Sequence, residues 1–211
     1  SRSRYKFSML RDNSFCNDPL NYVLTSDLTK TCNFSDVFIL RALEILGSND
    51  IEKRHQSLLT NGEQTSGDVF DQFGETTKDI KKIIFAEVEK YRTKFNNSNE
   101  GFIKNWPPQY KLKGWLVSMK NGGELAPHIH AEGWISGSIY INVPPKVKQD
   151  SGNLVVCLSD LDLDLNNTDN TRVINVVTGS LCLFPSSLLH YTLPFESDQK
   201  RIVLAFDIVA I

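Results

Sequence analysis

The sequence predicts a mainly β chain, a barrel-like jelly roll with helices from its first half packed on the outside. Three observations predict this. Two segments before residue 100 carry a helical apolar period. From Trp106 onward that period vanishes, and short β-rich runs bounded by Gly, Pro, Asn and Asp replace it. No stretch between the two parts is rich enough in Gly, Pro or Ser to act as a linker. The expected layout is residues 1–105 as an N-terminal strand and helices, not independent of the core, and residues 106–211 as the β core.

Taken in order, SRSRYKFSML suits a strand and DNSFCNDPLN a loop. Ser35 stands where a helix cap is expected, before DVFILRALEIL, whose apolar residues suit a broad buried face, and Gly47 is a stop. A short helix is expected from about Asn49 to Leu59, then a loop over LLTNGEQTSGD. Residues 75–95 hold the clearest helix: Ile80, Ile83, Ile84, Val88, Tyr91 and Phe95 make one stripe among Lys and Glu. Strands are expected at 111–120, 126–132, 136–144, 153–159, 171–177, 180–185, 189–195 and 201–211, with a surface loop over 161–170.

Composition narrows the function classes. At 211 residues, 40% hydrophobic and 23% charged, the chain is long enough for a packed domain. A net charge of −2 gives no reason to expect a nucleic-acid partner. The longest apolar runs, such as IVLAF, are too short to span a bilayer, so no membrane is expected. The N-terminal stretch is basic but lacks a signal peptide's apolar core. The four cysteines form no CxxC, which points to free thiols in a reducing, cytoplasmic compartment. The sequence does not report oligomeric state.

Two of the four histidines, His128 and His130, form an HxH in a strand-like run. On a strand, alternate side chains share a face, so two imidazoles would stand side by side. His190, in LFPSSLLHYTLPF, is the natural third ligand. Two antiparallel strands would bring it beside the pair, which is what a double-stranded β-helix offers. Such a set suits Fe(II) or Zn(II). Glu132 continues the same alternation, so His130, Glu132 and His190 would make an equally plausible 2-His-1-carboxylate set. A hairpin around FESDQK would return Arg201 antiparallel to the His190 strand, pointing into the same cavity. A buried guanidinium needs an anion, and a carboxylate-bearing cosubstrate would supply one. The plainer alternative is a rim ion pair with Glu196 or Asp198. Ser138 and Tyr140 share one strand face, and Tyr140 could hydrogen-bond the same carboxylate. Trp115 and Trp134 could line the mouth or pack in the wall.

With these residues assembled, the chain resembles the iron(II)- and 2-oxoglutarate-dependent oxygenase superfamily. The resemblance lies in Pro127-His128-Ile129-His130, then Gly133-Trp134, Ser136-Gly137, Tyr140 and Pro144. It continues through Gly179 to His190, with Phe184-Pro185-Ser186 inside it, then Arg201 and the AFD of 205–207. It covers roughly 106–211. It implies a distorted jelly roll, Fe(II) held by His128, His130 and His190, and 2-oxoglutarate gripped at its far carboxylate by Arg201 with Tyr140 and Ser138. The family usually carries HxD or HxE. A Pro before the first histidine is similar to the aspartyl/asparaginyl β-hydroxylase branch, which favours His128 as first ligand and puts His130 where others carry a carboxylate. Some members follow tetratricopeptide repeats, so the chain can be the catalytic end of something longer. The implied reaction is hydroxylation of a protein side chain or a small molecule, with release of succinate and CO2. The rival is a cupin-type metal protein that does not use 2-oxoglutarate, but residues 134–140 lack the acid of that pattern and leave Arg201 without a task.

Overall fold

The computed structural model describes residues 15–159, 165 and 169–211. The strand expected in SRSRYKFSML and most of the loop expected over 161–170 fall outside them. The elements are β1 (Leu24–Asp27), α1 (Leu40–Gly47), β2 (Lys53–Arg54), β3 (Leu59–Thr65), α2 (Val69–Gln72), α3 (Lys78–Lys94), α4 (Gly101–Lys104), β4 (Tyr110–His128), β5 (Ile135–Asn142), β6 (Leu154–Cys157), β7 (Thr171–Ile174), β8 (Ser180–Pro185), β9 (Leu189–Thr192) and β10 (Arg201–Ala210).

These strands form a curled antiparallel sheet, the double-stranded β-helix that the sequence predicts. One half runs β1-β8-β5-β10-β4 and the other β4-β9-β6-β7, so β4 belongs to both. Its first part pairs with β10, from Tyr110↔Ala210 to Met119↔Arg201. Its end pairs with β9, at Leu125↔Thr192 and His128↔His190. The sequence suggests two strands here, 111–120 and 126–132. The chain instead continues through Asn121-Gly122-Gly123, where Gly122 takes a φ of 70° that a side chain would resist. Its amide donates to Phe195 O at 2.7 Å, which ties the bend to the β9–β10 connection.

Strand alternation sorts β10 into two faces. Ile202, Leu204, Phe206 and Ile208 join the main apolar core with Phe38, Ala42, Ile45, Ile80, Ile84, Val88 and Tyr91 from the helical half. Arg201, Val203, Ala205 and Asp207 face a cavity between the two halves of the sheet. Each fully buried aliphatic or aromatic side chain contributes ~1.5–3 kcal/mol, so the α3 stripe is what holds that helix on the sheet. Asp79 in its first turn and Arg92 and Lys94 in its last complement the helix dipole.

The first helix departs from expectation at its start. A π-helical turn over Ser35–Ile39 precedes α1, and Ser35 makes no cap. Asn33 does that work instead, its Oδ1 accepting from Asp36 N at 3.4 Å. Leu40 and Leu43 stay exposed, so the buried face is narrower than the composition suggests. The helix expected over 49–59 and the loop after it are also corrected. They form the β2–β3 hairpin, with β3 adding to the edge of β4 at Leu59↔Leu125 and Gln64↔Val117. Tertiary pairing overrides the local signal there, because β4 offers an open edge to a segment with no strong period of its own. Among the described residues no helix is long and apolar enough to cross a membrane. Cys16 and Cys182 are buried free thiols, Cys157 is buried and Cys32 is partly buried.

Gly137 sits under the Phe206 ring: a Cβ there would lie 2.1 Å from its Cζ. Gly137→Ala is therefore expected to cost ~1–3 kcal/mol, read as a lower midpoint in denaturant with an unchanged slope.

Candidate metal centre

The β4–β9 pairing brings the distant histidine to the pair. His128 ends β4 and faces His190 directly across the ladder, while His190 also pairs with Val156 of β6. His130 does not lie on the strand. The strand expected over 126–132 ends at His128, and His130 sits in the turn leading to β5, its amide donating to Ser186 O at 3.2 Å and its carbonyl accepting from Gly133 N at 3.2 Å. The three rings nevertheless converge. Their centroids are 4.3 Å (His128–His190), 4.9 Å (His130–His190) and 5.1 Å (His128–His130) apart, and one nitrogen from each lies within 4.8 Å of the others.

Every Nδ1 in the set faces an acceptor. His128 Nδ1 is 2.8 Å from Ala126 O, His190 Nδ1 is 3.0 Å from Leu188 O, and His130 Nδ1 is 2.7 Å from Asp207 Oδ1. Each Nδ1 therefore carries the proton and donates it, which leaves the three Nε2 lone pairs for an ion. Burial is the main cause that holds His128 down to about 4 and His190 well below the ordinary imidazole range, with the neighbouring histidines adding to it. Both rings are thus kept neutral, the form that binds a metal. The residues fit a divalent transition metal such as Fe(II).

Glu132 is turned away from the cluster. Its side chain is 81% exposed and pairs with Lys113 at 3.4 Å. Of the two sets that the sequence leaves open, the one containing His128 is assembled.

Arg201 lines the same cavity, which measures about 660 Å³. It arrives by a different route from the one expected. β10 does not pair with β9; its neighbours are β4 and β5, so residues 193–200 carry the chain across β4 rather than round a hairpin. Arg201 is 2% exposed. Its Nη2 donates to Gly152 O at 3.2 Å, its Nη1 reaches Met119 Sδ at 3.8 Å, and its Nε has no partner. It makes no ion pair among the described residues, and Glu196, one expected rim partner, binds Lys148 at 2.8 Å instead. The guanidinium lies 5.1 Å over the Tyr140 ring. Burial pulls the Arg201 pKa down and pushes the Tyr140 hydroxyl up, the latter opposed by Arg201 and by a hydrogen bond with Ser138. A buried cation with a spare N–H beside a cavity is an incomplete arrangement, and a carboxylate would complete it. Tyr140 and Ser138 both line that cavity.

The two tryptophans separate. Trp115 lines the cavity 5.5 Å from the His130 ring. Trp134 is wall packing: it meets Phe15 edge-on at 5.0 Å, and its Nε1 donates to Phe102 O at 2.8 Å. Sequence reasoning missed Asp207, Ser136 and Ser186, which surround the back of His130. The signal existed for Asp207, since it continues the Arg201 alternation along β10.

A sequence profile for the family described as "Putative 2OG-Fe(II) oxygenase" matches residues 113–207, just under half of the chain. A search of curated proteins finds no significant match. Solved structures match widely in fold. A prolyl hydroxylase from Trichoplax adhaerens, in complex with a hypoxia inducible factor peptide fragment, is 14% identical with a TM-score of 0.62, covering 99% of this chain and 91% of that one. A prolyl-4-hydroxylase from Pseudomonas putida is 14% identical with a TM-score of 0.55, covering 92% and 96%. HygX from Streptomyces hygroscopicus, with nickel and 2-oxoglutarate bound, is 10% identical with a TM-score of 0.56, covering 89% and 82%.

An unpaired buried charge weighs against stability, and apolar replacement of buried charges is often neutral or gains ~1–4 kcal/mol. Arg201→Met is therefore expected to melt at or above the temperature of the unsubstituted protein when both are free of small ligands. A clear drop in melting temperature would show that Arg201 is a structural cation.

Proposed function

We propose that this chain is a member of the 2OG-Fe(II) oxygenase superfamily, whose profile matches residues 113–207, and that it is an Fe(II)- and 2-oxoglutarate-dependent dioxygenase that hydroxylates a protein side chain or a small molecule. The observation that carries this reading is the coincidence, in one cavity, of three converging imidazoles and a buried guanidinium without an anion.

In this reading His128, His130 and His190 hold the iron through Nε2. Their Nδ1 hydrogen bonds fix each ring before the metal arrives, so little ordering is left for binding. Arg201 takes the far carboxylate of 2-oxoglutarate, with Tyr140 stacked on its guanidinium and Ser138 holding the Tyr140 hydroxyl. Phe184, 4.8 Å from the His190 ring, and Trp115 give the site apolar walls that restrict water. The iron and 2-oxoglutarate supply the oxidising power for inserting one atom of O2, with succinate and CO2 as the other products.

Anaerobic addition of Fe(II) with and without 2-oxoglutarate tests this. A visible charge-transfer band present only with both, and succinate release in air, are expected. Normal metal binding with no such band would favour a cupin-type protein instead. His190→Ala is expected to weaken Fe(II) binding by more than the ~10–100-fold that losing a partner behind a ligand costs, and to abolish succinate formation. Arg201→Ala is expected to raise the 2-oxoglutarate requirement about 10- to 100-fold, the weight of a charge-assisted hydrogen bond of ~1.5–3 kcal/mol, with iron affinity nearly unchanged. Glu132→Gln should keep full activity; a loss comparable to that of His190→Ala would return Glu132 to the ligand set.

A further inference from the structure

The back of His130 is built from more polar groups than a surface turn requires. Asp207 Oδ1 accepts from His130 Nδ1 at 2.7 Å and from Ser136 Oγ at 2.7 Å. Ser136 Oγ is itself 2.9 Å from Ser186 Oγ and 3.2 Å from His130 Nδ1. Asp207, Ser136 and Ser186 are all buried. Lys113 is the register partner of Asp207 on β4, but its ammonium turns to Glu132 at 3.4 Å. His130 is thus the only ion-pair partner of Asp207 among the described residues. A buried carboxylate is costly unless a positive charge stands close by.

The charge balance of the pocket says where that charge comes from. On the reading proposed above, the two positive charges of Fe(II) and the one of Arg201 face the two negative charges of 2-oxoglutarate. A carboxylate ligand would leave the pocket neutral. Three imidazoles leave one positive charge unmatched. Asp207 matches it from one hydrogen bond further back.

We infer that Asp207 is a positioning residue that locks the His130 ring with Nε2 toward the metal and supplies, through that ring, the negative charge that a three-histidine set lacks. Ser136, braced by Ser186, holds the carboxylate in place. The inference rests on the proposed metal site, and it assigns the third carboxylate-like contribution to a residue outside the ligand set. A charged acceptor on Nδ1 makes Nε2 a stronger donor to the ion.

The test is anaerobic Fe(II) titration of the full chain, with the charge-transfer band of the 2-oxoglutarate complex and the melting temperature of the metal-free protein as further readouts. Asp207→Asn keeps the size and a hydrogen-bonding oxygen but removes the charge. It is expected to weaken Fe(II) about 10- to 100-fold and to move the band, with metal-free melting little changed. Ser136→Ala should weaken Fe(II) in the same direction by less. Unchanged affinity and band in Asp207→Asn overturn the inference. So does a loss of affinity that goes with an equal fall in metal-free melting and an unmoved band, since that is a structural role. If Asp207→Asn does not fold, an unchanged affinity and band in Ser136→Ala overturns it instead. His190→Ala separates this from the parent reading. Loss of iron there with Asp207→Asn unaffected sinks only the role of Asp207, whereas retained iron in His190→Ala removes the metal site itself.

Discussion

The site depends on one strand being shared. β4 pairs with β10 along its first part and with β9 at its end, so a single backbone carries the chain from one half of the curled sheet to the other. The bend at Gly122 makes that possible. Because β4 ends at His128 opposite His190, two histidines that are far apart in sequence are set side by side by backbone hydrogen bonds rather than by side-chain choice. Because β4 also pairs with β10, the same strand places Arg201 and Asp207 on the cavity wall at the two ends of one alternating face.

That alternating face explains how one strand serves both stability and chemistry. The even positions of β10 are apolar and lock the sheet to α1 and α3. The odd positions hold two opposite charges, Arg201 and Asp207, both buried; Arg201 makes no ion pair among the described residues and keeps a spare Nε, while Asp207 meets the His130 ring and Ser136. Burying such charges costs free energy that the apolar face must offset. The rigid backbone then holds them where ligands of opposite sign would complete them, which is the pre-organisation that a binding site needs. His130 is the exception to strand control. It sits in a turn, and its orientation comes from Asp207, Ser136 and the Ser186 carbonyl rather than from a ladder.

Much of this was legible in the sequence because its physics is periodic. The α3 stripe, the alternation of β10 and the isolation of three histidines among Gly and Pro all follow from spacing. The departures from it are equally specific. The segment 49–65 has no clear period and became a hairpin because β4 had an edge to fill. The turn at residues 193–200 looked like a hairpin because its residues are turn formers, yet β10 crosses to the far side of β4. Turn composition reports where a chain bends, not which neighbour it then joins.

The sequence by itself determined the residue types, three imidazoles and one arginine, and the two-residue period of a strand that makes His128, His130 and Glu132 candidates for one face. Only the tertiary structure decided between His128 and Glu132, since both obey that period and the choice turns on where β4 stops. Only the tertiary structure, likewise, brought Asp207 to His130. That contact joins two segments through the register of β10 against β5, where Asp207 meets Ser136. Register is a property of paired strands, and a single strand's sequence does not contain it.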